Sequence, residues 1–505
     1  LTLTDTLLEV NGGSDNEIIT GTTGNDVLTG GAGADTLTGG AGADILDGGD
    51  GDDQFTYGTF ANFVAGNAVV DDISGGNDSD RVSITDTTGF KINRGYLANR
   101  ISGVEKIDLG DTDASFVSIE IILEDSDTES GINEIDLSSD ATYGNGSNSI
   151  QLSAISNNDG NTATEGFTVT GSAGVDLIRG TANNDIINGG GGDDNLRGGD
   201  GDDIITGGPS ADSLQGRDGD DTYVFATGDV TGNEMLQDDG GTDALSTAGA
   251  GGPVDFTSLN SNSNIDDIEQ ILIDGGQEAT FKGVQLDGQA IAVNENGIGT
   301  TTLDIDVSDI TSVDLSKLTF AEFTGTADNA FDNGADIIDI DGDIEGSNDI
   351  TGTSIADTIT GGNLADTLTG GDGGDSLTGG GAGDSFIYSA LTDGSDAGST
   401  GGTFSGFDII TAFSGNGNEG DKLDVFTDSF NTSTDDIGLT EFTFDSNIPE
   451  DAQTNTETVM TDTVNNSSNP AITVEGGHLF VISDSNGSRA ADASGTAEND
   501  FETLT

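Results

Sequence analysis

A nine-residue pattern, G-G-x-G-x-D-x-U-x with U apolar, repeats in three blocks of this chain, and few folds accommodate such a period. The first block runs from Gly12 to Thr56 with Glu17, Asp26, Asp35, Asp44 and Asp53 at its sixth positions. The second runs from Gly171 to Val224 with Asp176, Asp185, Asp194, Asp203, Asp212 and Asp221 in register. The third begins at Gly352 and carries Asp357, Asp366, Asp375 and Asp384, with Asn348 in phase ahead of it. Glycine pairs let the backbone turn with positive φ, the aspartate ends the turn, and the next three residues suit a short strand. Each unit is then half a coil. Two units complete one turn of a parallel β-roll, so units n and n+2 stack and like positions meet.

The stacking brings acids and backbone carbonyls to one gap lined only by oxygen. The carbonyls expected there belong to Gly30, Ala32, Gly39, Ala41, Gly48 and Asp50 in the first block, Gly189, Gly191, Gly198 and Asp200 in the second, and Gly370 and Asp372 in the third. A flexible cage of six or more hard oxygens suits Ca²⁺ better than Mg²⁺ or a soft metal. Ions between stacked turns are expected on the order of ten in all. The apolar positions, represented by Val27, Leu37, Leu46, Leu177, Ile186 and Leu196, should point inward as a thin core. Such a core buries too little area to offset the ordering entropy of its backbone, so the metal-free ladder should be unfolded. Glycine-rich acidic tracts are usually linkers. A linker has no reason to keep an acid at every sixth and an apolar residue at every eighth place.

The rest of the composition agrees. With 93 acids against 12 bases the net charge is −81, which excludes nucleic acid and membrane insertion or an anionic membrane surface as partners. Divalent cations are the natural counterions, and folding should be coupled to their binding. Extracellular sites of this kind hold calcium at roughly 10⁻⁴ to 10⁻³ M, which places the folded protein outside the cell. There is no cysteine, hence no disulfide framework or thiolate chemistry. No apolar run approaches the ~20 residues of a membrane span, and no signal peptide precedes the first block. The chain starts at Leu1 without a methionine, as a fragment or processed product would.

Between the blocks, apolar pulses at 104–109, 117–123, 132–137, 150–155 and 167–169 read as short strands. The chain is expected to be all-β, tandem right-handed parallel β-rolls alternating with β-solenoid or β-sandwich segments, and no amphipathic helix of convincing length is found. The divisions are 1–11 (strand), 12–57 (roll), 58–170 (β-rich module), 171–225 (roll), 226–345 (β-rich module), 346–388 (roll) and 389–505 (C-terminal β cap and secretion region). Each roll exits into an aromatic strand, Phe55-Thr56-Tyr57, Tyr223-Val224-Phe225 or Phe386-Ile387-Tyr388, expected to cap its open end. Two segments match beyond the rolls: Ile101-Ser102-Gly103-Val104-Glu105-Lys106-Ile107 with Ile265-Asp266-Asp267-Ile268-Glu269-Gln270-Ile271, and Ile132 to Ser138 with Ile310 to Ser316. The chain is therefore a tandem array of related modules.

No catalytic set emerges. A single histidine, His478, rules out H-E-x-x-H zinc chemistry, and no G-x-S-x-G is present. Carboxylate pairs are uninformative among so many acids. The protein is expected not to be an enzyme. Arg81, Lys91, Arg94, Arg100 and Lys106 form a local concentration of bases, read as internal ion pairing in preference to an assembly contact.

The blocks resemble the RTX (repeats-in-toxin) family, whose members leave bacteria unfolded through a type I secretion machine and fold on meeting calcium. Phe407 to Phe413, Gly420 to Val425 and Leu479 to Gly487 are similar to the β-sandwich-like cap that follows the roll in serralysin-type secreted proteases. The resemblance implies an export signal at the extreme C-terminus, here Asn499 to Thr505. The tandem modules and the missing catalytic sets point to an S-layer or matrix protein that assembles with identical subunits. The alternation Leu1-Thr2-Leu3-Thr4 with Leu7, Leu8 and Val10 offers a strand for that pairing. The alternatives are an adhesin or carbohydrate-binding module, whose partner would be a cell-surface polysaccharide, and the secretion part of a larger enzyme.

Overall fold

A computed structural model describes residues 7–65, 68–85, 91–92, 97, 100–109, 119–124, 131–138, 147–154, 166–232, 234–237, 239–249, 251–259, 265, 267–296, 299–308, 310–320, 336–388, 409–411, 422–425 and 481–483. They fall into two units, Leu1–Ala248 with Ser258–Glu269, and Gly249–Thr257 with Gln270–Thr505.

In the first unit the nine-residue period becomes a two-walled coil. Val27–Ala32 pairs in parallel with Ile45–Asp50 on one wall, and Ile18–Thr20 with Thr36–Thr38 on the other. Each step is 18 residues, two repeats, as the hydrogen bonds between equivalent turns also record. Side chains two apart on a strand share a face, so the sixth-position aspartate and the eighth-position apolar residue both point inward. Leu28, Leu37, Leu196, Ile178 and Ile187 are accordingly fully buried. This corrects three of the expected core positions: Val27 and Leu177 are only half-buried and Ile186 is exposed. Where seventh and eighth residues are both apolar, parity with the aspartate selects the eighth.

The segment between the first two ladders is a solenoid. Gln54–Tyr57 pairs in parallel with Arg81–Ile84, which pairs with Lys106–Leu109, then Glu134–Asp136, Thr168–Thr170 and Ile186–Asn188. One sheet thus runs from ladder to ladder. The facing wall continues through Lys91–Ile92, Glu120–Glu124, Ser147–Ala154 and Val175–Arg179. A sandwich would need antiparallel neighbours, and the antiparallel pair among the described residues is only the small ribbon Val64–Ala65 with Ala68–Val69. The aromatic exit strands do not cap the rolls. Phe55, Tyr57, Tyr223 and Phe225 are buried at points where the narrow coil widens, and further strands stack on them.

The second unit repeats the plan. Val254–Asp255, Glu278–Lys282, Thr302–Asp306, Ile337–Asp341, Asp357–Gly362 and Ser376–Gly380 form one parallel wall, and Ser312–Asp314, Asp349–Thr351, Thr367–Thr369 and Ser385–Tyr388 another. Ile409–Thr411, Val481–Ser483 and Lys422–Val425 join these walls in parallel register, where a sandwich-like cap was expected. The remainder of the cap, including His478 and the export segment, and Leu1 to Thr4 at the other end, lie outside the described residues. The helices Phe60–Phe63 and Gly283–Leu286 are single turns, and no helix among the described residues is long and apolar enough to cross a membrane.

Candidate metal centre

Each ladder edge is a column of aspartates linked by their own backbone. The N–H of Asp26 donates to Asp44 Oδ1 at 2.7 Å, that of Asp35 to Asp53 Oδ1 at 2.8 Å, that of Asp176 to Asp194 Oδ1 at 2.8 Å, and that of Asp194 to Asp212 Oδ1 at 2.8 Å. The same bond joins Asp185 to Asp203, Asp203 to Asp221, Asp357 to Asp375, and Asp366 to Asp384. All fourteen ladder aspartates are between 1 and 3 % exposed. A carboxylate taken that far from water needs partners for both oxygens. One oxygen has them.

The other oxygen is turned into the loop. Oδ2 of Asp35, Asp44, Asp53, Asp194, Asp203, Asp212 and Asp366 is buried with no hydrogen-bond donor. At Gly30, a side-chain carbon would collide with Asp35 Oδ2 and lie 2.7 Å from the Gly48 carbonyl oxygen; at Gly189 it would meet Asp194 Oδ2 and the Gly207 carbonyl oxygen in the same way. Glycine is required because these oxygens fill the space. Gly31 and Gly190, at the second position, hold φ of 121° and 98°, which turns the loop. The carbonyl of Gly30 lies likewise beside Glu17 Oε2, which has no donor, whereas those of Gly39, Gly198 and Gly370 lie beside Asp26, Asp185 and Asp357, whose Oδ2 already accepts an N–H.

Acceptor against acceptor, without a donor, is repulsive unless positive charge lies between. Burial pushes the Asp194 carboxyl up to about 9 and the Asp203 carboxyl up to about 8, with like charges on Asp176 and Asp212, and on Asp185 and Asp221, adding to it. Asp185 and Asp212 are raised by burial to about 6. Among the described residues no three acid or histidine side chains converge. The donor set is therefore one or two carboxylates with backbone carbonyls, all hard oxygens, and it fits a calcium ion. A bound Ca²⁺ supplies the charge that lets these buried carboxylates stay ionised. The chain's own residues position the oxygens, exclude water and hold the register.

The columns begin differently from how they continue. Where the second residue is Thr or Ser, its φ is not positive and it serves the aspartate itself: Thr22 N–H donates to Asp26 Oδ2 at 2.6 Å, Ser172 N–H and Oγ to Asp176 Oδ2 at 2.7 and 3.0 Å, and Thr181 and Thr353 act likewise on Asp185 and Asp357. Although burial opposes it, the Thr22 and Leu8 amides hold Asp26 below the ordinary carboxylate range. At the head of the third ladder Asn348 Nδ2 donates to the Gly361 carbonyl oxygen at 2.7 Å. An amide N–H stands there against the carbonyl that elsewhere faces a carboxylate oxygen.

Of the other carbonyl positions expected from sequence, Ala32, Ala41 and Gly191 donate their amides to the preceding turn, and the Asp50 carbonyl accepts from Gly33 N–H. Asp200 pairs with Asp218 along the strand edge, and Asp372 is half-buried. Sequence reading missed the acids that prolong the columns. Asp44 N–H donates to Asp71 Oδ1, Asp53 N–H to Asp80 Oδ1, and Asp80 N–H to Glu105 Oε2; after the second ladder Asp212, Asp221 and Asp243 donate to Glu234, Asp243 and Glu269. The shared signal is an acid two places before an inward apolar residue. The bases stay clear of the columns: Lys91 pairs with Glu120, Arg100 with Asp72, Lys106 with Glu134 and Asp136, and Arg81 bonds Gln54, while Arg94 lies outside the described residues.

Residues 11–45, 30–64, 170–205, 197–232 and 351–386 match the family of RTX calcium-binding nonapeptide repeats, each match spanning four copies. No curated protein matches the chain. These repeats bind Ca²⁺ and are typical of secreted bacterial proteins, and the three ladders of this chain are RTX calcium-binding repeats.

Proposed function

We propose that this is a calcium-dependent extracellular structural protein, not an enzyme, which is exported unfolded by a type I secretion machine, folds on about ten Ca²⁺ ions and assembles with identical copies into a surface layer, filament or matrix. The observation that carries this reading is the alternation of ion-requiring ladders with apolar solenoid turns in one continuous sheet. In that arrangement calcium governs whether the ladder turns of the sheet are ordered. Among the described residues the first unit starts on strands with one neighbour each, Glu9–Asn11 and Ile18–Thr20, beside exposed Leu7 and Ile18. An open parallel edge with exposed apolar side chains supports strand pairing between subunits. Electron microscopy of the purified chain tests the reading. Ordered polymers in calcium that dissolve with a chelator are expected; a dispersed monomer in saturating calcium contradicts it.

A further inference from the structure

Three of the chain's 12 bases, Arg179, Arg197 and Arg217, stand together on the second ladder. Strand register sets Arg179 directly beside Arg197, in a rank that continues on either side with Gln151, Gln215 and Gln237 and holds no carboxylate. Neighbouring strands lie about 4.8 Å apart, so two like charges face each other there, which is destabilising without a counter-charge. Among the described residues no acid is ion-paired with any of the three, and Arg197 Nε donates instead to Gln215 Oε1 at 2.6 Å. Burial, with the like charges of Arg217 and Arg179, holds the Arg197 guanidinium below its ordinary range, and Asp239 offsets this only in part.

Arg217 adds a second unsatisfied cation. It holds a φ of 94° at the turn position that Gly190 and Gly199 fill at 98° and 146°, a conformation in which a side chain is strained. Its Nε is buried with no hydrogen-bond partner.

The second unit presents the opposite sign at the same spacing. Asp304 stands directly beside Asp339 on the neighbouring strands Thr302–Asp306 and Ile337–Asp341, and neither is ion-paired with a base among the described residues. Burial raises both carboxyls, and the charges of Asp341 and Glu278 add to it. Two cations one strand apart and two anions one strand apart can meet pair by pair.

We propose that Arg179 and Arg197, with Arg217 beside them, dock the Asp304–Asp339 pair of a second copy of this chain. The docking rests on assembly from identical copies and names the contact that links them. Each copy gives an arginine face to one neighbour and an aspartate face to another, a heterologous contact that propagates unless it closes into a ring. Arg179 and Arg197 become neighbours only when turns 18 residues apart stack, so the arginine face exists only in the calcium-folded ladder. Asp304 and Asp339 instead sit on strands held by buried Leu303, Ile305, Ile338 and Ile340. Calcium therefore switches on one half of the contact.

Charge reversal tests this, read by electron microscopy of the full chain in saturating calcium. Arg179→Glu with Arg197→Glu, and Asp304→Arg with Asp339→Arg, should each lose polymers alone. An equimolar mixture of the two double variants should regain them, because the reversed faces complement one another. Both should bind as much calcium as the unaltered chain by equilibrium dialysis, since the replaced side chains lie on the outward faces of their strands. Polymers from either variant alone, or a mixture that stays dispersed, overturn the docking while polymers of the unaltered chain keep the assembly reading. An arginine variant that fails where the aspartate variant assembles gives the rank to another anion, such as an acidic polysaccharide, and overturns the proposal as well. A dispersed unaltered chain overturns assembly and this docking together.

Discussion

The ladder turns and the turns between ladders lie in one sheet of the first unit, yet different forces hold them. A ladder turn is 18 residues long and puts one apolar side chain per strand inside, such as Leu196 or Ile205, next to a buried aspartate. A turn between ladders takes more chain, as in the pairing of Lys106 with Glu134 and of Glu134 with Thr168, and beyond Asp80 its interior is largely apolar: Ile107, Leu109, Ile121, Leu123, Ile135 and Leu137 are all fully buried, and the buried Asn148 is hydrogen-bonded to Ser172. Its charges sit at the surface, where Lys106 spans Glu134 and Asp136. The comparison teaches that a thin coil can be made from glycine and aspartate if an ion replaces the missing core. A wider coil dispenses with the ion.

The contrast is sharpest in paired core truncations. Ile135→Ala should lower stability by about 3 kcal/mol in urea titrations, with or without calcium, because its burial does not depend on the ion. Leu196→Ala should cost a similar amount in calcium and nothing measurable after chelation, when its ladder is already unfolded. Equal losses for both variants in chelator would break the comparison.

Acid supplies a smaller effect of opposite sign to ordinary acid denaturation. The folded-state carboxyls of Asp194 and Asp203 are raised from 3.8 to about 9 and about 8, so between those values and 3.8 the metal-free folded ladder holds more protons than the unfolded chain. Its stability therefore falls as pH rises through that window and is recovered on acidification. Chelated protein should gain part of the ladder's far-ultraviolet circular dichroism as pH falls from about 9 toward about 5; a loss over that range contradicts the account.

Much of this was legible in the sequence, for identifiable reasons. The nonapeptide phase dictates the 18-residue register and the buried aspartates, because glycine turns tolerate no slip. The segments around Glu105 and Glu269 match in sequence, but their part in the acid columns, accepting the N–H of Asp80 and of Asp243, was not legible there. Three further things were hidden. Which of two adjacent apolar residues enters, Val27 or Leu28, depends on strand parity with Asp26 and not on hydrophobicity. Asp80 follows Gly75-Gly76 and precedes Val82 as a repeat unit would, but the short helix Phe60–Phe63 and its flanks add a further nine residues, so the step from Asp53 is 27 and the simple period fails. Solenoid and sandwich were equally compatible with short β-branched pulses, since local pattern does not specify whether neighbours run parallel.

Residue-resolved amide hydrogen exchange of the full chain, with calcium and with a chelator at neutral pH, tests the central claim most directly. The amides of Asp194 and Asp203 should be protected in calcium and exchange freely on chelation, while those of Ile121 and Ile135 keep most of their protection. Ladder amides that stay protected without calcium would contradict it.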